Sequence, residues 1–254
     1  MQSLSNRVAL VTGASSGIGR AAARLFARAG ARVVVAARRQ SGLDALADEI
    51  RAEGGEAATL AGDVREEGYA AALVALAQQR FGRLDVAFNN AGTMGALGPV
   101  TGMTLADWEE VQATNLRSAF LGAKHQIPAL LAASGGSLIF TGSFVGHSAG
   151  FPGMAAYAAS KAGLVGLAQA LATEYGPQGL RVNALLPGAT DTPMGRSFMS
   201  TPEIHDFVRG LYALKRLAQP EEIAAAALFL ASAASSFVTG TALLVDGGVS
   251  VNRT

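Results

Sequence analysis

The chain has 254 residues, a formal charge of +1 and no cysteine; half of its residues are hydrophobic and 15% are charged. That balance fits one globular α/β domain over residues 1–254, with helices covering a buried sheet and roughly three-quarters of the unfolded surface removed from water. It excludes disulfide and thiolate chemistry and offers no basic footprint for nucleic acid or an anionic membrane, while three scattered histidines, His125, His147 and His205, lack metal-ligand spacing.

The first segment runs straight into an apolar strand, residues 7–12, with no charged flank, apolar stretch and cleavage site before it. No apolar run reaches 18 residues, so a soluble, cytoplasmic protein is expected. The strand ends in TGASSGIG, residues 12–19, where a helix over 17–29 begins. Glycines in such a turn let the backbone approach a pyrophosphate, and the helix start presents free N–H groups and a positive dipole end to it. Gly13, Ser15, Ser16, Gly17, Ile18 and Gly19 are therefore candidates to hold a dinucleotide. The spacing is G-x-x-x-G-x-G rather than G-x-G-x-x-G, and a plain turn needing glycine only for positive φ is the bland alternative. Residues 13–17 also match G-x-S-x-G, the nucleophile elbow of hydrolases, but that fold needs earlier strands to supply an oxyanion N–H. Only eleven residues precede Thr12.

A second strand, 32–37, delivers Ala37, Arg38 and Arg39. An acidic residue would bind a ribose 2′-hydroxyl there; two guanidiniums instead suit a 2′-phosphate. NADP(H) is the expected cofactor, with NAD(H) possible, and the competing reading is a pair of solvated strand-end arginines. Further strands follow at 57–61, 84–89, 136–142, 181–186 and 242–246, and helices at 42–53, 66–81, 105–133, 157–175 and 220–230. Such alternation favours right-handed crossovers, hence a single-domain, Rossmann-like, doubly wound, seven-stranded parallel sheet with helices on both faces. A glycine-rich stretch at 94–103 and a long insertion at 188–218 stand apart, the latter expected to form a substrate loop or lid.

Within GMAAYAASKAG, residues 153–163, Tyr157 and Lys161 lie four apart and share a helix face. A core tyrosine beside a snorkelling lysine would look the same. As chemistry, an ammonium and a helix start both favour phenolate, and a phenol so tuned can exchange a proton with a carbonyl oxygen. Ser143, at the end of the fifth strand, is a candidate hydroxyl to polarise that oxygen.

Taken in order, these segments resemble the short-chain dehydrogenase/reductase family over nearly the whole chain. The matching motifs are TGASSGIG, GDV with Asp63 and Val64, NNAG at 89–92, Asn115 in ATNLRSAF, Ser143, Tyr157 with Lys161, and PGATDT at 187–192. The resemblance implies that Tyr157 is the general acid/base and that Ser143 binds the substrate oxygen. It implies that Lys161 lowers the tyrosine pKa and holds the nicotinamide ribose, and that Asn115 supports a proton-relaying water. Asp63 and Val64 would lie near the adenine, Asn90, Ala91 and Gly92 along the cofactor, and Pro187, Gly188, Thr190 and Thr192 beside the nicotinamide. The basic residue that some NADP-using members carry before the second glycine is replaced by Ser16, so preference rests on Arg38 and Arg39.

The expected reaction is hydride transfer between nicotinamide and a carbonyl or secondary alcohol, in the direction of NADPH-dependent reduction of a ketone or 3-oxoacyl-type substrate. An NAD-dependent alcohol dehydrogenase and a catalytically idle NADP-binding regulator on the same fold are the alternatives. Substrate contacts are expected from Met94 and Leu97; from Phe144, His147, Phe151 and Met154; and from Met194, Phe198, Met199 and Phe207, with Arg196 a possible carboxylate ligand. Small-residue faces on the two long helices suit close packing, and the family resemblance implies a homotetramer.

Overall fold

A computed structural model describes residues 3–253; residues 1, 2 and 254, which the single-domain expectation also spans, lie outside the described residues. The seven strands are β1 Val8–Thr12, β2 Arg32–Ala37, β3 Ala57–Ala61, β4 Val86–Asn89, β5 Gly136–Thr141, β6 Leu180–Pro187 and β7 Ala242–Val245. They form one sheet in the order β3-β2-β1-β4-β5-β6-β7, and every neighbouring pair is parallel.

Strand alternation decides the layers. Ala9, Val11, Val33, Val35, Phe88 and Ile139 point to one face, where they pack under α1 Gly17–Arg28, α2 Gln40–Ala52 and α9 Pro220–Ala231. Their neighbours Val8, Leu10, Val34, Ala87, Leu138 and Phe140 point to the other, under α3 Glu67–Phe81, α5 Ser118–Ala132 and α6 Ala155–Tyr175. With both faces covered, the central strands are apolar along most of their length, with Thr12, Asn89 and Thr141 at their carboxyl ends, as a parallel sheet with a site at those ends requires.

The expected fold class holds, with local corrections. The helix expected over 105–133 is three pieces: α4 Leu105–Gln112, a π-helical turn Ala113–Arg117, and α5. A wide turn of this kind inserts one residue without ending the helix, so periodicity alone reads through it. Two-residue shifts occur at Gln40, two before the expected start of α2, at Ala155, two before that of α6, and at Val86, two after that of β4. The insertion at 188–218 is not bare loop: it holds α7 Pro193–Phe198 and α8 Pro202–Gly210, each with a proline in its first turn and a threonine cap, Thr192 and Thr201.

The order of strands reverses between β1 and β4, and the crevice beyond the carboxyl ends of those strands is where an open α/β sheet takes its ligand.

Candidate active site

At that crevice lies a cleft of about 620 Å³. Its floor is the turn after β1. Gly13 has φ +68°, and a Cβ on Gly19 would come 2.4 Å from the Gly13 carbonyl oxygen and 2.6 Å from Asn90 Nδ2, so neither position accepts a side chain without moving backbone. Ser16 caps α1 with no side-chain hydrogen bond, leaving first-turn N–H groups for an anion at the cleft. Thr12 Oγ1 accepts the N–H groups of Asn90 and Ala91 at 3.0 and 3.1 Å, which ties the ends of β1 and β4 together.

Gly13, Ser15, Ser16, Gly17 and Ile18 line the cleft, together with Arg38 and Arg39, Asp63 and Val64, Asn90 to Gly92, and Pro187, Gly188, Thr190 and Thr192. Gly19 does not; it is buried beneath the turn it allows. A groove long enough to run from Arg38 to Ser143, floored by a glycine turn and an uncapped helix start, fits an extended dinucleotide. Arg38 and Arg39 are both exposed at its β2 end.

Arg65 joins this end of the cleft unannounced by any motif. Its guanidinium grips Asp63, Nε to Oδ2 at 2.9 Å and Nη2 to Oδ2 at 2.6 Å, and holds that carboxyl below its usual range. Glu110, on α4, also lines this end.

Three of the four expected reacting groups meet at the opposite end. Ser143 is buried at the end of the β5 segment, and its Oγ accepts the Val145 N–H at 3.1 Å. Tyr157 sits in the first turn of α6, beside the positive end of a 21-residue helix. One turn on, buried Lys161 places Nζ 5.7 Å from the Tyr157 ring centroid and donates to the Thr141 carbonyl at 2.7 Å. Burial pushes the phenol above its ordinary pKa, and a hydrogen bond with Ser143 opposes that rise. Burial also lowers the lysine to about 8. Desolvation sets the direction for the phenol, with Ser143 the group that opposes it.

Asn115 is the fourth. It is buried on the π turn, behind the cleft rather than in its wall. Its Oδ1 accepts from Thr93 N at 2.8 Å, and its Nδ2 donates to Thr93 O and Ser160 Oγ, both at 2.9 Å. Both amide protons are thus committed, so the side chain has none to offer a relaying water. Gly92 is the close approach here: a Cβ on it would come 3.1 Å from Asn115 Oδ1 and 3.2 Å from Lys161 Nζ. A small chamber of about 20 Å³, large enough for one water, is lined by Asn115, Thr12, Asn89, Gln126 and Thr141 together with apolar side chains such as Leu73 and Leu164.

On the substrate side, Met94, Phe144, Phe151, Met154, Met194, Phe198 and Met199 line the cleft as expected. Leu97, His147, Phe207 and Arg196 do not line it. Phe207 is 65% exposed on α8, and Arg196 is taken by Asp191 at 2.6 Å on the outer surface. Spacing placed these residues in the right loops but could not say which side of a short helix turns inward. Sequence reasoning missed Tyr212. It is buried, stands edge-on to Phe144 with centroids 6.5 Å apart, and its hydroxyl accepts the Ala189 N–H at 2.5 Å. Among the described residues no cluster of three or more His, Asp or Glu could hold a metal ion, and no helix is long and apolar enough to cross a membrane.

Residues 13–250 match the family model described as enoyl-(acyl carrier protein) reductase. The A-factor type γ-butyrolactone 1′-reductase (1S-forming) of Streptomyces virginiae is 41% identical over 249 residues, 98% of this chain and 97% of that one. The structure of a short-chain type dehydrogenase/reductase from Mycobacterium marinum superimposes with a TM-score of 0.94 at 35% identity, covering 99% of this chain and 98% of the other. A structure from Beutenbergia cavernae with bound NADP at low occupancy gives 0.93 at 39% identity, with 99% of both chains covered.

Proposed function

The chain belongs to the short-chain dehydrogenase/reductase family and is an oxidoreductase acting on CH–OH groups and carbonyls, and from that premise we propose that it is an NADPH-preferring carbonyl reductase whose reacting groups are Ser143, Tyr157 and Lys161. The observation that carries this reading is the meeting of those three side chains at the far end of a cleft whose other end holds two exposed guanidiniums. The nicotinamide cofactor, when bound, supplies hydride to a carbonyl carbon or takes it from an alcohol carbon.

Ser143 Oγ is placed to donate a hydrogen bond to the substrate oxygen while Val145 N–H holds the hydroxyl in position. Tyr157 gives its phenolic proton to that oxygen as negative charge builds there, and takes it back when an alcohol is oxidised. The phenol carries its proton at neutral pH, as a donor in the reductive direction must, and burial raises rather than lowers its hold on that proton. Lys161 offsets the charge left on the phenolate, a service available only while the ammonium keeps its proton. Gly92 leaves room for it between cofactor loop and Asn115, and Asn115 acts as a positioning residue that locks Thr93 and the π turn behind Lys161.

A pH dependence follows. Lys161 is charged below about 8 and neutral above it, so kcat/KM for carbonyl reduction falls on the alkaline side with an apparent pKa near 8. A profile flat from about pH 6 to pH 9.5 would remove Lys161 from this role.

Arg38 and Arg39 would take the 2′-phosphate, beyond an Ala37 that offers the ribose hydroxyl no carboxylate. The double change Arg38→Ala, Arg39→Ala is expected to lower the NADPH-over-NADH ratio of kcat/KM by roughly 10- to 100-fold, one or two charge-assisted hydrogen bonds being lost. A ratio within twofold of the parent would refute the assignment. The remaining cofactor contacts fall to Gly13, Ser15 to Gly17 and Ile18 under the pyrophosphate; to Asp63 and Val64 at the adenine; to Asn90 to Gly92 along the groove; and to Pro187, Gly188, Thr190 and Thr192 at the nicotinamide.

The chain forms one catalytic domain with its substrate loop at about 188–218, works in the cytoplasm on a small molecule, and assembles as a homotetramer. A panel of ketones, aldehydes and secondary alcohols run with NADPH and NADH in parallel tests the whole reading. Tight NADPH binding without turnover of any compound would favour an idle regulator.

A further inference from the structure

The charges that line the cleft are distributed unevenly. They are Arg38, Arg39, Asp63, Arg65, Glu110 and Lys161. The first four follow β2 and β3, Glu110 projects from α4 to the same end, and Lys161 is bound to the Thr141 carbonyl beneath Tyr157. Beyond Ser143 and Tyr157 the wall is apolar: Phe144 and Met154 are buried in a cluster that Met94, Phe151 and Phe198 complete, and Phe144 and Phe151 meet edge to face at 5.7 Å. Tyr212 closes the side toward α8, its hydroxyl engaged by the Ala189 N–H. The nearest cation in sequence, Arg196, is paired with Asp191 and lies outside the lining.

We propose that this end of the cleft selects uncharged, apolar carbonyl compounds and alcohols and rejects those bearing a carboxylate, with Phe151 and Phe198 as specificity-determining residues. The proposal rests on the reading of Ser143 and Tyr157 as the groups that meet the reacting oxygen, because it is their position that makes the aromatic wall the seat of the rest of the substrate. A carboxylate turned toward that wall sheds its hydration and finds no cation among the lining residues there in return. A methyl or methylene group in the same place gains by leaving water.

Three ketones separate these effects: cyclohexanone, 4-methylcyclohexanone and 4-oxocyclohexanecarboxylate, each assayed at neutral pH with the full chain and saturating NADPH. The added methyl is expected to raise kcat/KM by about fourfold, and the carboxylate to lower it by roughly 100-fold or more relative to the methyl compound. Phe198→Arg, which puts a guanidinium on the α7 side of the wall, should narrow that gap by about tenfold, through better use of the carboxylate. A carboxylate used within threefold of the methyl compound would overturn the proposal, and a folded Phe198→Arg protein with an unchanged gap would remove Phe198 from it. Saturation-transfer NMR on the same three compounds keeps the two readings apart. Binding of the neutral ketones but not the carboxylate, without turnover, would uphold the selectivity and sink the catalytic assignment; equal binding of the carboxylate, or binding of none, would overturn the selectivity itself.

Discussion

Tyr157→Phe is expected to lower kcat for carbonyl reduction by about 10³- to 10⁴-fold while leaving NADPH affinity within about twofold. The phenol stands at the start of α6 with its ring 5.7 Å from Lys161 Nζ and a hydrogen bond to Ser143, and it is the group assigned to pass its proton to the substrate oxygen. Removing one oxygen deletes the proton donor and leaves the ring to fill its space, so the loss falls on the chemical step. In free energy it is about 4 to 5 kcal/mol of transition-state stabilisation at 1.36 kcal/mol per tenfold. Single-turnover rates with quenching of NADPH fluorescence measure the two quantities separately. A variant that keeps a tenth of the parental kcat would refute the assignment of Tyr157 as acid; one that loses NADPH binding as well would show a structural role instead.

The largest effect on stability is expected at the opposite end of the strands. Asp85, 2% exposed just ahead of β4, accepts four hydrogen bonds: from Arg7 Nη1 at 2.7 Å, Arg83 Nη2 at 2.6 Å, Arg83 Nε at 2.9 Å and the Val8 backbone N–H at 2.9 Å. Asp85→Ala leaves that N–H buried without an acceptor and strips both guanidiniums of their shared partner. Each arginine is about half exposed and recovers some hydration, so the cost should lie toward the lower end for broken buried pairs, about 3 kcal/mol. For a chain of this size that corresponds to a fall in Tm of roughly 6 to 12 °C. Asp85→Asn, which keeps one acceptor oxygen, should lose about half as much. Since the cluster lies at the amino ends of the strands, kcat per folded molecule should not change. Urea unfolding of the three proteins provides the check, and a loss under about 0.5 kcal/mol in Asp85→Ala would show the network to be dispensable.

Much of the architecture was legible before any coordinates. Short continuous apolar runs and longer helical stretches follow from local chemistry, and strict alternation of the two leaves little choice but a parallel sheet with covered faces. In that fold the carboxyl ends of the strands converge, which is why TGASSGIG, Arg38, Asp63, Asn90, Ser143 and Pro187, each at a strand end, came together at one cleft. The Tyr157 and Lys161 pair followed from helix geometry. Asn115 was legible as a site residue, yet not as one whose amide protons are both spent on Thr93 and Ser160.

Other features depended on partners far along the chain, where no local pattern reaches. The pKa of the Tyr157 phenol is raised by a burial that a sequence does not display. Tyr212 reaches Ala189 across 23 residues of insertion, while Leu97, His147 and Phe207, in the expected loops, turn away. The sequence by itself therefore determined the fold and the end of the sheet where chemistry occurs, because both follow from short-range periodicity and the fixed geometry of strand ends. Only the tertiary structure decided which side chains face the substrate and how far burial shifts their proton affinities, because loop packing and desolvation are set by neighbours that are remote in sequence.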